Sequence, residues 1–168
     1  NAETIERIIS ENGGFDILIG NPPFIRQEKI KEYKPAFERR FKETYAGTAD
    51  ILIYFYHQAV NVLRQHGTLT FITSNKYFRA NYGEGLREFL SANTCIKQIL
   101  DFGDAPVFEA VAYASIILLQ KATRDGNQTQ VWTFPQKEKV EDFAEGFRRF
   151  GFLLPQHELH SEGWRLER

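Results

Sequence analysis

The chain has one cysteine, Cys95, and no methionine. A single thiol excludes a disulfide framework, and Cys95 is expected to behave as a small buried hydrophobe. No run of about 18 apolar residues occurs, so no segment is a candidate helical membrane span. No secretory-signal pattern is present either, and a cytoplasmic location is the expectation. Charge of one sign is also lacking. Lys and Arg number 21 against 22 Asp and Glu, for a net charge of −1. That balance neither requires nor excludes a nucleic-acid partner, because basic residues act locally. The four histidines, His57, His66, His157 and His160, are scattered. Two imidazoles at 157 and 160 without a carboxylate or thiolate partner do not make a metal site, and no metal is expected. Repeats and low-complexity tracts are absent. What is plentiful is aromatic: 15 Phe and 7 Tyr in 168 residues, a length sufficient for one domain with its own core.

The most informative stretch is Phe15-Asp16-Ile17-Leu18-Ile19-Gly20-Asn21-Pro22-Pro23-Phe24. Residues 15–20 are short, apolar and bounded by glycine, the pattern of a buried strand. The chain cannot continue as strand or helix beyond Gly20. Pro22 and Pro23 lack N–H groups and fix φ near about −65°. Each also restricts the residue before it. The result is a stiff ledge at the carboxyl end of a strand, where ligands bind in open α/β sheets. Asn21 offers a side-chain oxygen and Pro22 a backbone oxygen. Two acceptors close together suit an amino group with two N–H bonds to give. Held off the plane of a purine, they would favour a more tetrahedral nitrogen and aim its lone pair, a pre-oriented stabilisation of the kind that dominates many active sites. Phe24 could stack on the same base.

Further along, helices are predicted over 2–11, 50–65, 83–93 and 138–149. Strands are predicted over 15–20, 68–73, 96–101 and 113–121, with a shorter one near 131–134. Between 26 and 46 the charges are mixed, and Tyr33, Phe37, Phe41 and Tyr45 recur at four-residue steps. That stripe fits a packed amphipathic helix or a mobile cover carrying basic residues to DNA phosphates, with Pro35 breaking or restarting it. Helix-linked strands imply parallel pairing. The last two long strands have no helix between them, so one should run antiparallel.

These residues resemble a family. The segment 16–24 is similar to the catalytic motif of amino-group DNA methyltransferases, specifically the adenine-N6 enzymes. Ala49-Asp50-Ile51-Leu52-Ile53-Tyr54-Phe55 resembles the next motif of that family, which opens a helix beside the cofactor. Residues 67–78, ending Ser74-Asn75-Lys76-Tyr77-Phe78, resemble the following strand and its end, and 108–121 resemble the late motif. Order and spacing match the type IIG restriction–modification branch over about residues 13–122.

The resemblance implies an α/β fold: a partial class I, Rossmann-like methyltransferase sheet with one antiparallel late strand. Residues 1–134 would be the second half of the catalytic domain, and 135–168 an irregular lead into a recognition domain. The implied activity is adenine-N6 methylation of double-stranded DNA with a flipped target adenine, using S-adenosylmethionine. Asn21, Pro22 and Phe24 would be catalytic, and Phe108 would stack on the far face of the base. Asn75 and Lys76 would contact the target strand, and Asp50 and Tyr54 the cofactor. Other readings are a loop anchor for Phe108, a solvated loop for Asn75 and Lys76, and a helix cap for Asp50. The family's glycine-rich cofactor loop has no counterpart here, so the fragment alone is expected to be inactive and to require an upstream half of the same domain. Alternatives are a protein glutamine or RNA methyltransferase, or a non-catalytic nucleic-acid-binding fragment.

Overall fold

Six segments pair into one mixed sheet in the computed structural model, which describes residues 2–103, 113–123, 125–134 and 143–167. They are β1 (Phe15–Gly20), β2 (Leu63–Ser74), β3 (Cys95–Asp101), β4 (Ala114–Gln120), β5 (Gln128–Thr133) and β6 (Phe152–Pro155), in the order β1-β2-β4-β3-β5-β6. The pairs β1–β2 and β3–β5 are parallel. The expected antiparallel strand is β4, which lies between β2 and β3 and opposes both. A second antiparallel strand, β6, forms where an irregular lead was expected. Its backbone completes the edge of β5, and Leu154 is buried beneath it.

Five α-helices are present among the described residues: α1 (Ala2–Asn12), α2 (Lys34–Arg40), α3 (Leu52–Val62), α4 (Glu84–Asn93) and α5 (Phe143–Phe150). Successive side chains of a strand face opposite ways, and the sheet uses both faces. Ile53, Tyr56, Val60, Leu86 and Leu90 of α3 and α4 pack with Leu69, Ile99, Ile117 and Val131. Their neighbours Leu100, Ala114 and Trp132 turn to the other face, against Phe147 and Phe150 of α5. Cys95 is buried, as expected. Among the described residues no helix is long and apolar enough to cross a membrane.

The expectations for β1 and for the α3–β2 boundary are corrected. The segment 15–20 is a strand but not a buried one: Ile17 is 63% and Ile19 80% exposed. Among the described residues β1 pairs only with β2, and nothing covers that face. The helix predicted to run to 65 ends at Val62, and β2 starts at Leu63 instead of 68. Phe15 pairs with Leu63 but Ile17 with Thr68, so residues 64–67 bulge out. His66 takes a positive φ of 65° within this bulge. Gly14 approaches the same place at φ +129°, where a Cβ would run into the backbone of Val62 and Leu63.

The aromatic stripe divides as Pro35 demands. A 3₁₀ helix covers Gln27–Tyr33, and α2 restarts with Pro35 in its first turn, a position where its missing N–H costs nothing. Phe37 and Phe41 then stack on Tyr54, with ring centroids 4.3 and 5.3 Å apart. These two rings therefore belong to packing.

Candidate functional site

β1 delivers the ledge to the carboxyl end of the sheet. Gly20 lies so close to Phe71 that an added Cβ would sit 3.0 Å from the ring, which fixes the strand's exit. Pro22 is buried, Asn21 and Pro23 are exposed, and Phe24 is 38% exposed. The Pro23 carbonyl accepts the Ile25 N–H at 3.0 Å. Among the described residues no hydrogen bond engages the Asn21 side chain or the Pro22 carbonyl. The ledge therefore presents two adjacent acceptors and a ring.

The chain leaving the ledge is clamped by the residues that lead into α3. The Gln27 N–H donates to Asp50 Oδ1 at 3.1 Å, and the Ile51 N–H to the Ile25 carbonyl at 3.1 Å. The Tyr82 hydroxyl donates to Asp50 Oδ2 at 3.4 Å. Burial, and then the Asp50 carboxylate, push the Tyr82 phenol well above its usual range. Lys34 Nζ adds bonds of 2.6 Å to Gln27 Oε1 and to the Gly47 carbonyl. Asp50 is thus no helix cap: Ile51 occupies that position without a side-chain bond. Tyr54 is 4% exposed, and its hydroxyl donates to the Ala46 carbonyl. Burial first, then nearby Tyr45, raise its phenol to about 12.

The adjacent strand, β2, ends in the Ser74-Asn75-Lys76 turn. Ser74 caps it by accepting the Lys76 N–H at 3.3 Å. Asn75 donates its side-chain N–H to Asp101 Oδ1 at 2.6 Å and its backbone N–H to the Tyr113 carbonyl at 2.7 Å. Beneath lies a buried hydroxyl chain. Tyr77 donates to Tyr56 at 3.3 Å, and Tyr56 meets Thr73 at 3.0 Å. Burial pushes the Tyr56 phenol up to about 12 and also raises the Tyr77 phenol well above its usual range, so both stay neutral. Arg87, also buried, donates to the carbonyls of Tyr77, Ala80 and Ser161 at 2.5, 2.9 and 2.6 Å. It ties the turn to the last segment of the chain, where Trp164 packs at 5.2 Å from Phe78.

The structure therefore places Asn21, Pro22, Phe24, Asn75 and Lys76 at one end of the sheet, each beyond the end of its strand. Phe108 lies outside the described residues. Reading of the sequence assigned no site role to Tyr82, Arg87, Asp101 or Tyr113. Only Asp101 left a signal, as the last residue of a strand that ends beside Asn75. Among the described residues no cluster of His, Cys, Asp or Glu suits a metal.

The family model described as Eco57I restriction-modification methylase matches residues 1–108. The chain belongs to this family. As a member of the Eco57I family it is 28% identical, over 94% of its length, to the type II restriction enzyme and methyltransferase RM.Eco57I of Escherichia coli. It is 33% identical, over 64% of its length, to the type II methyltransferase M.XhoI of Xanthomonas vasicola. The chain spans 16% and 20% of those two proteins. In fold it is similar to the type I restriction-modification system methyltransferase subunit from Streptococcus thermophilus, with a TM-score of 0.62 and 15% identity over 89% of this chain and 36% of that one. The Eco57I-family match takes in the ledge, the Asp50 clamp and the Asn75 turn together.

Proposed function

We propose that the whole protein methylates the N6 amino group of adenine in double-stranded DNA, as the modification activity of a restriction–modification system in the cytoplasm. The observation that carries this reading is the pair of unengaged oxygens on Asn21 and Pro22, held by two prolines beside the exposed ring of Phe24. They accept the two N–H bonds of an amino group and leave its lone pair pointing away from them. A base in a duplex is out of reach of such a ledge, so the target must be flipped out. Phe24 stacks on one face of it and Phe108 on the other. Lys76 and Asn75 hold the target strand. The amine loses its proton to water after transfer, so the ledge needs no titratable group.

S-adenosylmethionine supplies, when bound, a methyl group on a positively charged sulfur. The residues expected to hold it fit unequally. Tyr54 is buried and its hydroxyl engaged, which does not suit ligand contact. Asp50 keeps acceptor capacity, since a carboxylate has about four lone-pair sites and two hydrogen bonds reach it here. The exposed face of Ile17 and Ile19 supports a covering segment, the upstream half of the domain, that completes the cofactor floor. The 168 residues alone are then catalytically silent.

In the full-length protein, Asn21→Ala should abolish methylation while leaving DNA affinity nearly unchanged, read by incorporation of labelled methyl groups and by gel shift. Near-normal methylation by that variant would refute the reading. Calorimetric titration of S-adenosylmethionine into this chain should give no heat. Micromolar binding would contradict the need for an upstream half.

A further inference from the structure

A pocket of about 650 Å³ opens beyond the ends of β2, β3 and β5, with Asn75, Lys76, Arg79, Asp101, Tyr113 and Thr133 among its walls. Asn21, Pro22 and Phe24 do not line it. Asp101 is 6% exposed. Its Oδ1 accepts from Asn75 Nδ2 at 2.6 Å and from the Gly103 N–H at 2.9 Å. Among the described residues Oδ2 has no hydrogen-bond partner, and no cation forms an ion pair with the carboxylate. One oxygen is thus immobilised and the other is left to accept. Oδ2 is not sealed off from solvent, and Asp101 lines the pocket, so an incoming donor can reach it.

Around it stand the parts that suit a nucleotide. Lys76 Nζ lies 5.9 Å from the centroid of the Tyr113 ring. Among the described residues the Arg79 side chain ion-pairs only with Glu167, at 3.6 Å, with both side chains more than two-thirds exposed, a pairing too weak to hold it. Tyr113 is 45% exposed and sits at φ 73°, a strained conformation for a bulky residue and one that clusters at ligand sites.

We propose that this pocket binds the nucleotide next to the one presented at the ledge. Its phosphate lies on Lys76 and Arg79, its base stacks on Tyr113, and an amino N–H of that base donates to Asp101 Oδ2. Phosphate contacts set register, and base-edge contacts carry sequence. A carboxylate accepts from an exocyclic amino group as acidic side chains do from cytosine. Adenine, cytosine and guanine have such a group and thymine does not, so the pocket selects against thymine beside the target. The inference rests on the proposed function.

The test titrates dAMP, dCMP, dGMP, dTMP and inorganic phosphate into the chain, followed by NMR shifts of the Gly103 amide and the Asn75 side-chain amide. The three amino-bearing nucleotides should move both signals and bind about fivefold more tightly than dTMP. Asp101→Asn keeps an oxygen for the Gly103 N–H but presents an amide donor, which the acceptors of any base can meet, so the preference over dTMP should be lost. Tyr113→Ala should weaken all four nucleotides about tenfold. This second variant alters only an exposed ring, and decides the matter if Asp101→Asn does not fold. Equal binding of inorganic phosphate, an unchanged order in Asp101→Asn, or unchanged affinity in Tyr113→Ala would each overturn the proposal. The ledge fails separately. Nucleotide selection here, with methylation surviving Asn21→Ala, would refute the ledge and spare the pocket. Loss of methylation in Asn21→Ala with no nucleotide binding would do the reverse.

Discussion

Replacing Asp50 by Ala should loosen the ledge without touching it. The substitution removes the acceptor of the Gln27 N–H and of the Tyr82 hydroxyl. A hydrogen bond to a charged group contributes about 1.5–3 kcal/mol when buried. Here the site is half-buried and the Tyr82 bond is long, so the two together should cost about 2 kcal/mol. For a domain of this size that lowers the melting temperature by about 4–8 °C. The sharper assay is hydrogen exchange. Loss of about 2 kcal/mol of local protection should speed exchange of the Gln27 amide about thirtyfold. Amides in β3 and β4 should change far less. Asp50→Asn retains Oδ1 as an acceptor and should keep most of the protection. In the full-length protein, the loosened ledge should lower kcat more than it raises KM, because misplacement penalises the reacting geometry. Unchanged exchange at Gln27 in Asp50→Ala would refute the clamp.

Other perturbations test the frame. Trp164 is fully buried, and Trp164→Ala should cost about 3–5 kcal/mol in urea unfolding. Trp164→Phe should cost much less, because the indole N–H has no partner among the described residues and its loss removes an unmet donor. Gly14→Ala should cost about 3 kcal/mol from its positive φ and its collision with the 62–64 backbone; a melting temperature equal to wild type would contradict the bulge geometry. His57 is buried, bonded to Thr44 at 2.9 Å and stacked on Phe89. Burial lowers its pKa and Glu43 partly opposes this. Neutral imidazole is thus favoured in the folded state, so stability should fall as pH drops below about 6.5, where the unfolded chain takes up the proton first. His57→Phe should flatten that slope in unfolding titrations between neutral and mildly acidic pH.

What could be read from the sequence was whatever is decided locally. Two prolines after a short apolar run place the ledge at a strand end, because their geometry depends on their own rings. The helix at 84–93 and the strands at 95–101 and 114–120 are similarly plain, each a periodic run with clear ends. Failures came where distant residues decide. His66-Gly67 looks like a helix stop, yet the helix ends earlier because Leu63 pairs with Phe15. Ile17 and Ile19 look buried because apolar composition does not say whether a covering layer exists. The strand β6 is short and contains Pro155, and it forms because β5 offers an open edge. Asp50 finds Gln27 across 23 residues, and Asn75 finds Asp101 across 26. No spacing rule reaches that far.

The placement of β4 governs when the sheet can exist at all. It alone hydrogen-bonds to both β2 and β3, yet it emerges from the ribosome after both. Until residue 120 has been synthesised, β2 and β3 each carry an open edge with no lawful neighbour. Such edges template wrong pairings, and a sheet joined by non-local strands closes slowly. A nascent chain halted before Gln120 should therefore engage chaperones or aggregate, and one released just beyond it should be the shortest in which the two halves of the sheet are joined.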